Sequence, residues 1–479
     1  MHRVDRLIAR ALGIDEDRVT DDLEYQSIRE WDSLGHVALM VALGDELGLQ
    51  VDDDRIVGLR TVAAIRAFAG GGEPPQATPE SAEGPAVHRG LEGVCFDHTA
   101  ITRIDGARGI LEYRGYSIHD LAGRASFEEV AHLLVDGELP DAPALEGFGK
   151  QLRAHRELPA PVLDLARTLA RAGAHPMDAL RTTVSALGAF SPGRAPGTDE
   201  SYDEAREAGM ALIARMPLLV AAHHAFRSGR EPVAVPEDAG YAEGFLTALT
   251  GRPPTPAAVR FIDKGLIVHA DHSSNASAFT ARVAIGCRTG MTAALTAAVA
   301  AFAGSVHGGA AERVVRLIDD VGTPGNAEAY VRELHSRNEP VMGFGHRVYR
   351  TEDPRVRHLR ATVVELSEER GDTHGLDVLD AVAEAMRPYA RHGVAPNVDL
   401  YAGLAYRMLG LPDDLTVPMF VVARTTGWVA QALEQHANNV LIRPLLEYRG
   451  PMARPFPGTG QDGAGTSTPA PARAETSVS

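Results

Sequence analysis

The sequence predicts an all-α protein built from two ordered blocks, residues 1–70 and residues 91–456. The chain has 479 residues, which is more than one hydrophobic core usually organises, so at least two domains are expected. Apolar residues recur at spacings of three and four in both blocks, and alternating strand patterns are scarce. Segments 71–90 and 457–479 are rich in Gly, Pro, Ser and Thr, so we expect a linker and a disordered tail.

Composition and charge limit the partners of the chain. Lys and Arg number 47 against 64 Asp and Glu, and the resulting net charge of −17 repels nucleic-acid phosphates and anionic lipids. The most apolar stretch, 291–304, is shorter than the ~20 residues of a membrane span, and the N-terminus lacks a secretory signal. The only cysteines, Cys95 and Cys287, have no metal-ligand spacing. We therefore expect a cytoplasmic protein that binds neither nucleic acid nor membrane.

The first block places a serine at a predicted helix start. Asp32 is a predicted N-cap, which puts Ser33 at the first helical position, and Thr61 with Val62 begins a later amphipathic helix. A phosphodiester on the Ser33 hydroxyl would meet free amide donors and the positive end of the helix dipole.

This block resembles acyl carrier domains, in which the serine of a D-S-L motif carries a 4′-phosphopantetheine arm. Asp32-Ser33-Leu34 and Thr61-Val62 stand at the matching positions. The resemblance implies a four-helix bundle whose Ser33 is modified by a phosphopantetheinyl transferase. A small helical docking domain that is never modified is the alternative, because Ser or Asp before a helix is often only a cap.

Four polar islands interrupt the second block. They are HADHSSNAS at 269–277, HGGA at 307–310, GFGHRVY at 343–349 and PNVD at 396–399. Each places an ionisable residue beside a turn or helix start, and four such islands favour an active site over structural histidines. Three arginines follow in this region, Arg355, Arg424 and Arg443. Arginine binds carboxylates through a planar fork, so three converging arginines suit a substrate with two or three carboxylates, although each alone could be an ion-pair residue.

These islands, with GFGHRVYRTEDPR, PNVDLYAG, ARTTGW and IRP, are similar to the motifs of the citrate synthase family. The resemblance covers about residues 91–456. It implies an α-helical homodimer in which a small subdomain, roughly 305–400, is inserted in a large one and closes over the substrates.

The resemblance also implies residue roles. Asp399 is the expected general base, His307 the donor to the thioester oxygen, and His346 the donor to the carbonyl of oxaloacetate. The expected oxaloacetate-binding residues are His272, Arg355, Arg424 and Arg443, the last reaching across from the neighbouring subunit. Backbone at Val341, Gly343 and Gly345 is expected to recognise the adenine of coenzyme A.

No metal is expected at this site. His269 and His272 lie three residues apart, which suggests zinc as an alternative, but Glu or Cys at ligand spacing is missing.

The predicted activity is acyl transfer with carbon–carbon bond formation. An acetyl, propionyl or longer acyl group, on coenzyme A or on the carrier block, condenses with oxaloacetate or a related 2-oxo acid to give citrate, 2-methylcitrate or an alkylcitrate. Leu400 and Ala402 are smaller than the family's usual Phe and Ser near Asp399, and Ala311 replaces Asn, so either a longer acyl chain or simple repacking is expected there. Two further alternatives are cleavage of a citryl thioester held on the carrier and an inactive dimeric platform that presents the carrier.

Overall fold

The computed structural model describes residues 2–25, 27–28, 30–31, 33–48, 59–70, 87–91, 93–190, 199–308, 311–452 and 454. These residues are mostly helical, as the sequence predicts. They contain three short strands, β1 (Thr102–Asp105), β2 (Ile110–Tyr113) and β3 (Tyr116–Ser117), which form one antiparallel sheet in the order β1-β2-β3.

The carrier block contains three described helices around its own hydrophobic core. They are α1 (His2–Leu12), α2 (Ser33–Leu47) and α3 (Val62–Ala69). The core includes Trp31, Ile8 and Leu39, all fully buried. The fourth helix of the predicted bundle has no described counterpart, because residues 49–58 lie outside the described ranges.

The starts of α2 and α3 agree with the sequence prediction. Helix α2 begins at Ser33, and the predicted N-cap Asp32 lies outside the described residues. The Thr61 hydroxyl accepts a hydrogen bond from the Ala64 amide at 3.0 Å, which caps α3. The Trp31 indole donates to His36 Nδ1 at 3.1 Å, which ties the first turn of α2 to the core.

The second block contains sixteen α-helices within the described ranges. They are α4 (Ile118–Arg124), α5 (Phe127–Asp136), α6 (Ala142–Ala154), α7 (Ala160–Arg171), α8 (Pro176–Phe190), α9 (Tyr202–Arg227), α10 (Tyr241–Thr250), α11 (Pro256–His269), α12 (Ala276–Gly286), α13 (Met291–Phe302), α14 (Ala311–Val321), α15 (Ala327–Ser336), α16 (Val356–Arg370), α17 (His374–Met386), α18 (Asp399–Met408) and α19 (Thr416–Ala437). Short 3₁₀ turns lie at Glu16–Arg18, Arg89–Leu91, Pro324–Asn326, Arg387–His392 and Asp413–Leu415.

Helix α19 is the centre of this block. Nearly all of its residues are buried, and it packs against α9, α12, α11 and α13. Helix α9 is long and apolar enough to cross a membrane, but 78% of its most apolar window is buried inside the protein, as in a core helix. Helices α14 and α16 both pack on α18, and α16 also packs on α11. The first polar island begins at the end of α11 and the last ends at the start of α18.

The chain divides into two compact units, and the second consists of residues 82–92 and 443–479. Its described part is 87–91, 443–452 and 454, which apart from the 3₁₀ turn is extended and carries exposed apolar side chains such as Leu446. Arg443 belongs to this unit. Most of the predicted linker and the whole predicted tail lie outside the described residues. Cys95 and Cys287 are exposed free thiols.

Candidate active site

Two of the polar islands are joined by backbone hydrogen bonds. The Gly345 amide donates to the Ala395 carbonyl at 2.8 Å, and the Asn397 amide donates to the Gly343 carbonyl at 2.9 Å. The Asn397 side chain adds two bonds, because its Nδ2 donates to the Gly345 carbonyl at 3.0 Å while its Oδ1 accepts from the Asp399 amide at 3.0 Å. One side chain therefore fixes the start of α18 against the loop that carries His346.

Gly343 requires glycine for two reasons. Its φ of +85° lies in the left-handed region, and an added Cβ would approach Leu400 Cδ1 to 2.8 Å. Leu400 is fully buried in this contact. The close approach of the loop to α18 thus requires glycine at position 343 and buries Leu400 against it.

Asp399 is a carboxylate held in a low-dielectric site at the first position of α18. Burial raises the pKa of Asp399 to about 6, with the neighbouring Arg355 and Arg424 opposing that shift and Asp353 adding to it. No hydrogen bond from another described residue reaches its carboxylate oxygens. The group is therefore ionised near neutral pH and free to accept a proton.

His346 has a defined proton position. Its Nδ1 accepts hydrogen bonds from the backbone amides of Val348 at 3.0 Å and Tyr349 at 3.2 Å. Burial, with the charge of Arg355, lowers the pKa of His346 to about 4, so the ring is neutral at physiological pH. A neutral imidazole whose Nδ1 accepts must carry its proton on Nε2. His346 therefore presents one N–H donor.

His307 belongs to a chain of hydrogen bonds that begins in α19. The Trp428 indole donates to Ser277 Oγ at 3.1 Å, and Ser277 Oγ lies 2.9 Å from His307 Nε2. Burial, with the charges of Arg424 and Arg347, lowers the pKa of His307 to about 4, which keeps the ring neutral.

The hydroxyl proton of Ser277 decides the tautomer of His307. It has two acceptors within reach, Asn275 Oδ1 at 2.7 Å and His307 Nε2 at 2.9 Å. When it points to His307, the imidazole carries its own proton on Nδ1, and that N–H is free to donate to a ligand.

The two predicted arginines in the first unit are buried in different ways. Arg355 forms a bidentate ion pair with Asp353, with Nε–Oδ1 at 2.9 Å and Nη2–Oδ2 at 2.6 Å. Among the described residues, Arg424 donates from its Nε to the His269 carbonyl at 2.7 Å, and its guanidinium lies 6.0 Å from the Phe302 ring centroid. Burial lowers the pKa of Arg424, and the charge of Asp271 opposes that shift. Its Nη groups are suited to a bidentate anion.

His272 and His269 use their nitrogens within the protein. His272 Nε2 lies 3.2 Å from the Tyr349 hydroxyl, and its ring centroid lies 5.2 Å from that of His346. His269 Nδ1 donates to the Gly265 carbonyl at 2.8 Å, and its buried Nε2 has no partner among the described residues. Burial lowers the pKa of His269 to about 3 and that of His272 well below its usual value. A search of the described residues finds no group of three or more metal-ligating side chains, so the zinc alternative gains no support.

A cavity of about 760 Å³ lies beside the joined islands. Its wall includes Ala395 and Pro396, which pair with the 343–345 loop, and two arginines, Arg350 and Arg357, that form no ion pair with described residues. Gly343 and Gly345 belong to that loop and Val341 precedes it, so the predicted coenzyme-binding backbone adjoins a cavity lined by arginines and, at Glu352, Asp380 and Glu384, by carboxylates.

The structure thus brings together most of the predicted site. The charge of Arg424 acts on His307, His272 and Asp399, and the charge of Arg355 acts on His346. Arg443 is the exception, because it lies in the second unit and its place in the site stays a prediction.

Sequence reasoning missed the residues that hold this site in place. They are Asn397, Ser277, Trp428, Asp353 and Tyr349. Each stands inside a motif that the sequence singled out, so proximity to the predicted catalytic residues was the available signal.

Chemically, the arrangement offers one carboxylate base, two neutral imidazoles and two buried cations whose charges act on them. Groups of these types are suited to removing a proton from carbon, donating to developing oxyanions and holding an anionic substrate.

Comparisons with known proteins agree with this chemistry. Residues 90–445 match the family model described as the citrate synthase C-terminal domain, and residues 2–69 match the model described as the phosphopantetheine attachment site. Citrate synthase of Synechocystis sp. is 39% identical over 362 residues, covering 75% of this chain and 90% of that protein. 2-Methylcitrate synthase 1 of Corynebacterium glutamicum is 40% identical over 369 residues, covering 76% of this chain and 95% of that protein.

Solved structures show the same likeness. Citrate synthase from Pyrobaculum aerophilum superposes with a TM-score of 0.72 at 36% identity, covering 78% of this chain and 95% of that chain. Citrate synthase from Thermoplasma acidophilum, solved as a ternary complex with carboxymethyl coenzyme A and oxaloacetate, gives a TM-score of 0.72 at 29% identity, covering 78% and 99%. Since the family model spans most of the chain and the described polar islands lie within it, the protein belongs to the citrate synthase family and carries a phosphopantetheine attachment domain at its N-terminus.

Proposed function

We propose that the site condenses an acyl thioester with oxaloacetate or a close 2-oxo acid, with Asp399, His307 and His346 as its catalytic residues. The observation that carries this proposal is a buried, unbonded carboxylate and two neutral imidazoles, each acted on by the charge of Arg355 or Arg424. Citrate synthase-type condensation is common to the family's citrate and 2-methylcitrate synthases. What we propose beyond this shared reaction is the catalytic role of each of the three residues.

The first step is enolisation of the thioester. The Asp399 carboxylate takes a proton from the carbon next to the thioester carbonyl, and the electron pair moves to the carbonyl oxygen. His307 Nδ1–H, available when Ser277 donates to Nε2, hydrogen-bonds that oxygen and stabilises the charge. The low dielectric that raises the pKa of Asp399 also makes it a stronger base than an exposed carboxylate.

The second step forms the carbon–carbon bond. The enolate carbon attacks the ketone carbon of the 2-oxo acid, and the ketone oxygen becomes an alkoxide that takes the proton of His346 Nε2–H. The proton held on Asp399 then returns to His346 through solvent, which restores both groups. Water finally attacks the new thioester, forming the carboxylic acid and releasing the thiol.

Substrate carboxylates are held by the buried cations. Arg424 binds a substrate carboxylate through its two Nη groups. Arg355 binds through the guanidinium N–H groups that do not bond to Asp353. His272 stands between them and His346. Arg443 completes the set from a second subunit of a homodimer, as the family resemblance implies.

The acyl donor reaches the site on coenzyme A or on Ser33. The 341–345 loop and the adjoining cavity with Arg350 and Arg357 provide backbone groups and positive charge for a nucleotide with phosphates. The carrier block supplies an arm once a phosphopantetheinyl transferase modifies Ser33, and a tether raises the local concentration to about millimolar. We propose that the enzyme accepts both forms.

The smaller residues beside Asp399 bear on acyl-chain specificity. Leu400 is fully buried against Gly343, and Ala402 is fully buried in the core. This burial supports repacking over an open pocket for a longer acyl chain, and comparing acetyl, propionyl and longer thioesters tests the two alternatives.

The test of the proposed function uses the holo chain. The protein is coexpressed with a phosphopantetheinyl transferase and supplied with acyl-coenzyme A and oxaloacetate, and released acids are identified by mass spectrometry. We expect the tricarboxylic acid from the wild type and none above background from Asp399→Asn. Equal product from both would contradict the assignment, and thioester cleavage without a new carbon–carbon bond would favour the reverse reaction.

A further inference from the structure

The loop after α15 touches the carrier block of the same chain. Asn338 Nδ2 donates to the Arg10 carbonyl at 3.2 Å and also to the Ala11 carbonyl. Both acceptors lie in the last turn of α1, where backbone carbonyls lack partners further along the helix. The Arg10 carbonyl also accepts from the Gly13 amide at 3.3 Å. The contact thus joins a donor on the catalytic block to the C-terminal carbonyls of a carrier helix.

Asn338 is held in a shape that presents its side chain. It has a φ of +57°, and its amide and that of Glu339 donate back to α15, to the His335 carbonyl at 3.1 Å and the Leu334 carbonyl at 2.9 Å. Asparagine tolerates this left-handed conformation better than most residues. These backbone hydrogen bonds at the end of α15 therefore hold Asn338 in place independently of the carrier block.

The contacted end of α1 supports the start of α2. A Cβ on Gly35 would lie 3.3 Å from Leu12 Cδ2 and 2.2 Å from the Glu30 carbonyl, so α1 and the first turn of α2 are in close contact. Ser33 is two residues from Gly35, at most ~7 Å along the chain. The attachment serine therefore lies close to the contact with Asn338.

On the catalytic block, the chain that follows Asn338 leads to predicted active-site residues. Asn338 precedes Val341 by three residues and His346 by eight, which bounds the two separations at ~11 Å and ~29 Å. The contact is small, and two of its three residues, Arg10 and Asn338, stay exposed while Ala11 is buried in the carrier core. A small polar contact suits a partner that must dock and leave.

We propose that the carrier block docks in cis on the 337–340 loop through the end of α1, and that this contact delivers the Ser33 arm to the loop that leads to Val341 and His346. The inference rests on the proposed function for its catalytic meaning, but the docking itself is measured separately.

Cross-linking tests the location. In a chain with Cys95→Ser and Cys287→Ser, cysteines replace Arg10 and Arg337, and a short bismaleimide joins them. The control pair replaces Arg10 and Arg370, at the end of α16. We expect the 10–337 pair to cross-link within one chain and the 10–370 pair not to. Asn338→Asp removes the side-chain NH2 group that makes both hydrogen bonds, so it should lower the 10–337 yield at least about fivefold. Equal yields for both pairs, or a link between chains, would overturn the docking in cis.

Single-turnover kinetics test the consequence. With acyl-loaded Ser33 and oxaloacetate, Asn338→Asp should slow transfer about fivefold while turnover of free acyl-coenzyme A stays unchanged. Ser336→Ala is the matched control, because its hydroxyl bonds only to Glu333 of its own helix. Equal tethered rates in all three proteins would overturn the delivery role. If no tethered transfer occurs while the 10–337 link persists, the proposed acyl donor is wrong and the docking stands.

Discussion

Two helices in this protein begin at the residue that is expected to do the chemistry, α2 at Ser33 and α18 at Asp399. Both starts lie at the positive end of a helix dipole, which favours a phosphodiester in one case and a carboxylate in the other. They differ in what surrounds them. The Asp399 amide is bonded to Asn397 and the charges of two buried arginines act on its carboxylate, whereas the start of α2 belongs to the carrier core and is held by the Trp31–His36 bond. A catalytic base needs a fixed position of low dielectric constant. A phosphopantetheine arm needs a stable attachment residue on a small domain.

The largest expected effect in this comparison comes from Asp399→Asn. It keeps the shape and removes the base, so kcat should fall about 10³-fold, within the range for a lost general base, with little change in the KM for oxaloacetate. Steady-state kinetics measure both constants. Glu243→Gln, an exposed carboxylate of α10, is the control and should keep wild-type rates.

Ser277→Ala should have the next largest effect. It removes the group that accepts from Trp428 and directs the His307 proton, so kcat should fall at least about tenfold, less than the 10²–10³ for losing a direct oxyanion donor. It also leaves the buried Trp428 N–H unpaired, which lowers the free energy of unfolding by about 1–3 kcal/mol. Partial recovery of kcat in Ser277→Thr would support positioning through the hydroxyl, whereas wild-type kcat in Ser277→Ala would refute it.

The pH dependence of kcat/KM, which reports the ionisations of the free enzyme, tests the environment of Asp399. The active form is the carboxylate, and burial raises the pKa of Asp399 to about 6, so activity is full above that pH and is lost as pH falls through it. At pH 5 the rate should be about one tenth of its maximum. An acid limb centred near 4, the value of an exposed carboxylate, would contradict the burial argument.

Ser33→Ala should give the smallest kinetic effect on free substrate. The change removes the arm, so the mass added by a phosphopantetheinyl transferase disappears, while turnover of acyl-coenzyme A stays within about twofold because the 341–345 loop and its cavity are untouched. Intact-protein mass and steady-state rates measure the two outcomes. A large loss of free-substrate turnover would show that the arm is obligatory.

Much of the fold and site follows from the sequence. The helical periodicity, the start of α2 at Ser33, the Thr61 cap and the family are confirmed. Local motifs made these predictable, because caps and islands are set by residues a few positions apart. The Asp353–Arg355 ion pair likewise joins neighbouring residues of one motif.

The proton positions could not be predicted from sequence. The Trp428–Ser277 bond joins residues 151 positions apart, and the contact of Asn338 with Arg10 joins residues 328 apart. Which nitrogen of His307 or His346 carries a proton depends on such distant partners and on burial. For Arg443 the sequence makes a prediction on which one chain does not bear, because the predicted role involves a second subunit.

The central claim is that this site forms a carbon–carbon bond between a thioester and a 2-oxo acid by proton abstraction at Asp399. The most direct measurement supplies acyl-coenzyme A deuterated next to the thioester with oxaloacetate, and follows the acid product by mass spectrometry. The account predicts a tricarboxylic acid that has lost one deuteron, with a primary isotope effect in single turnover and no product from Asp399→Asn. Free acyl acid with every deuteron retained, formed equally by wild type and Asp399→Asn, would contradict it.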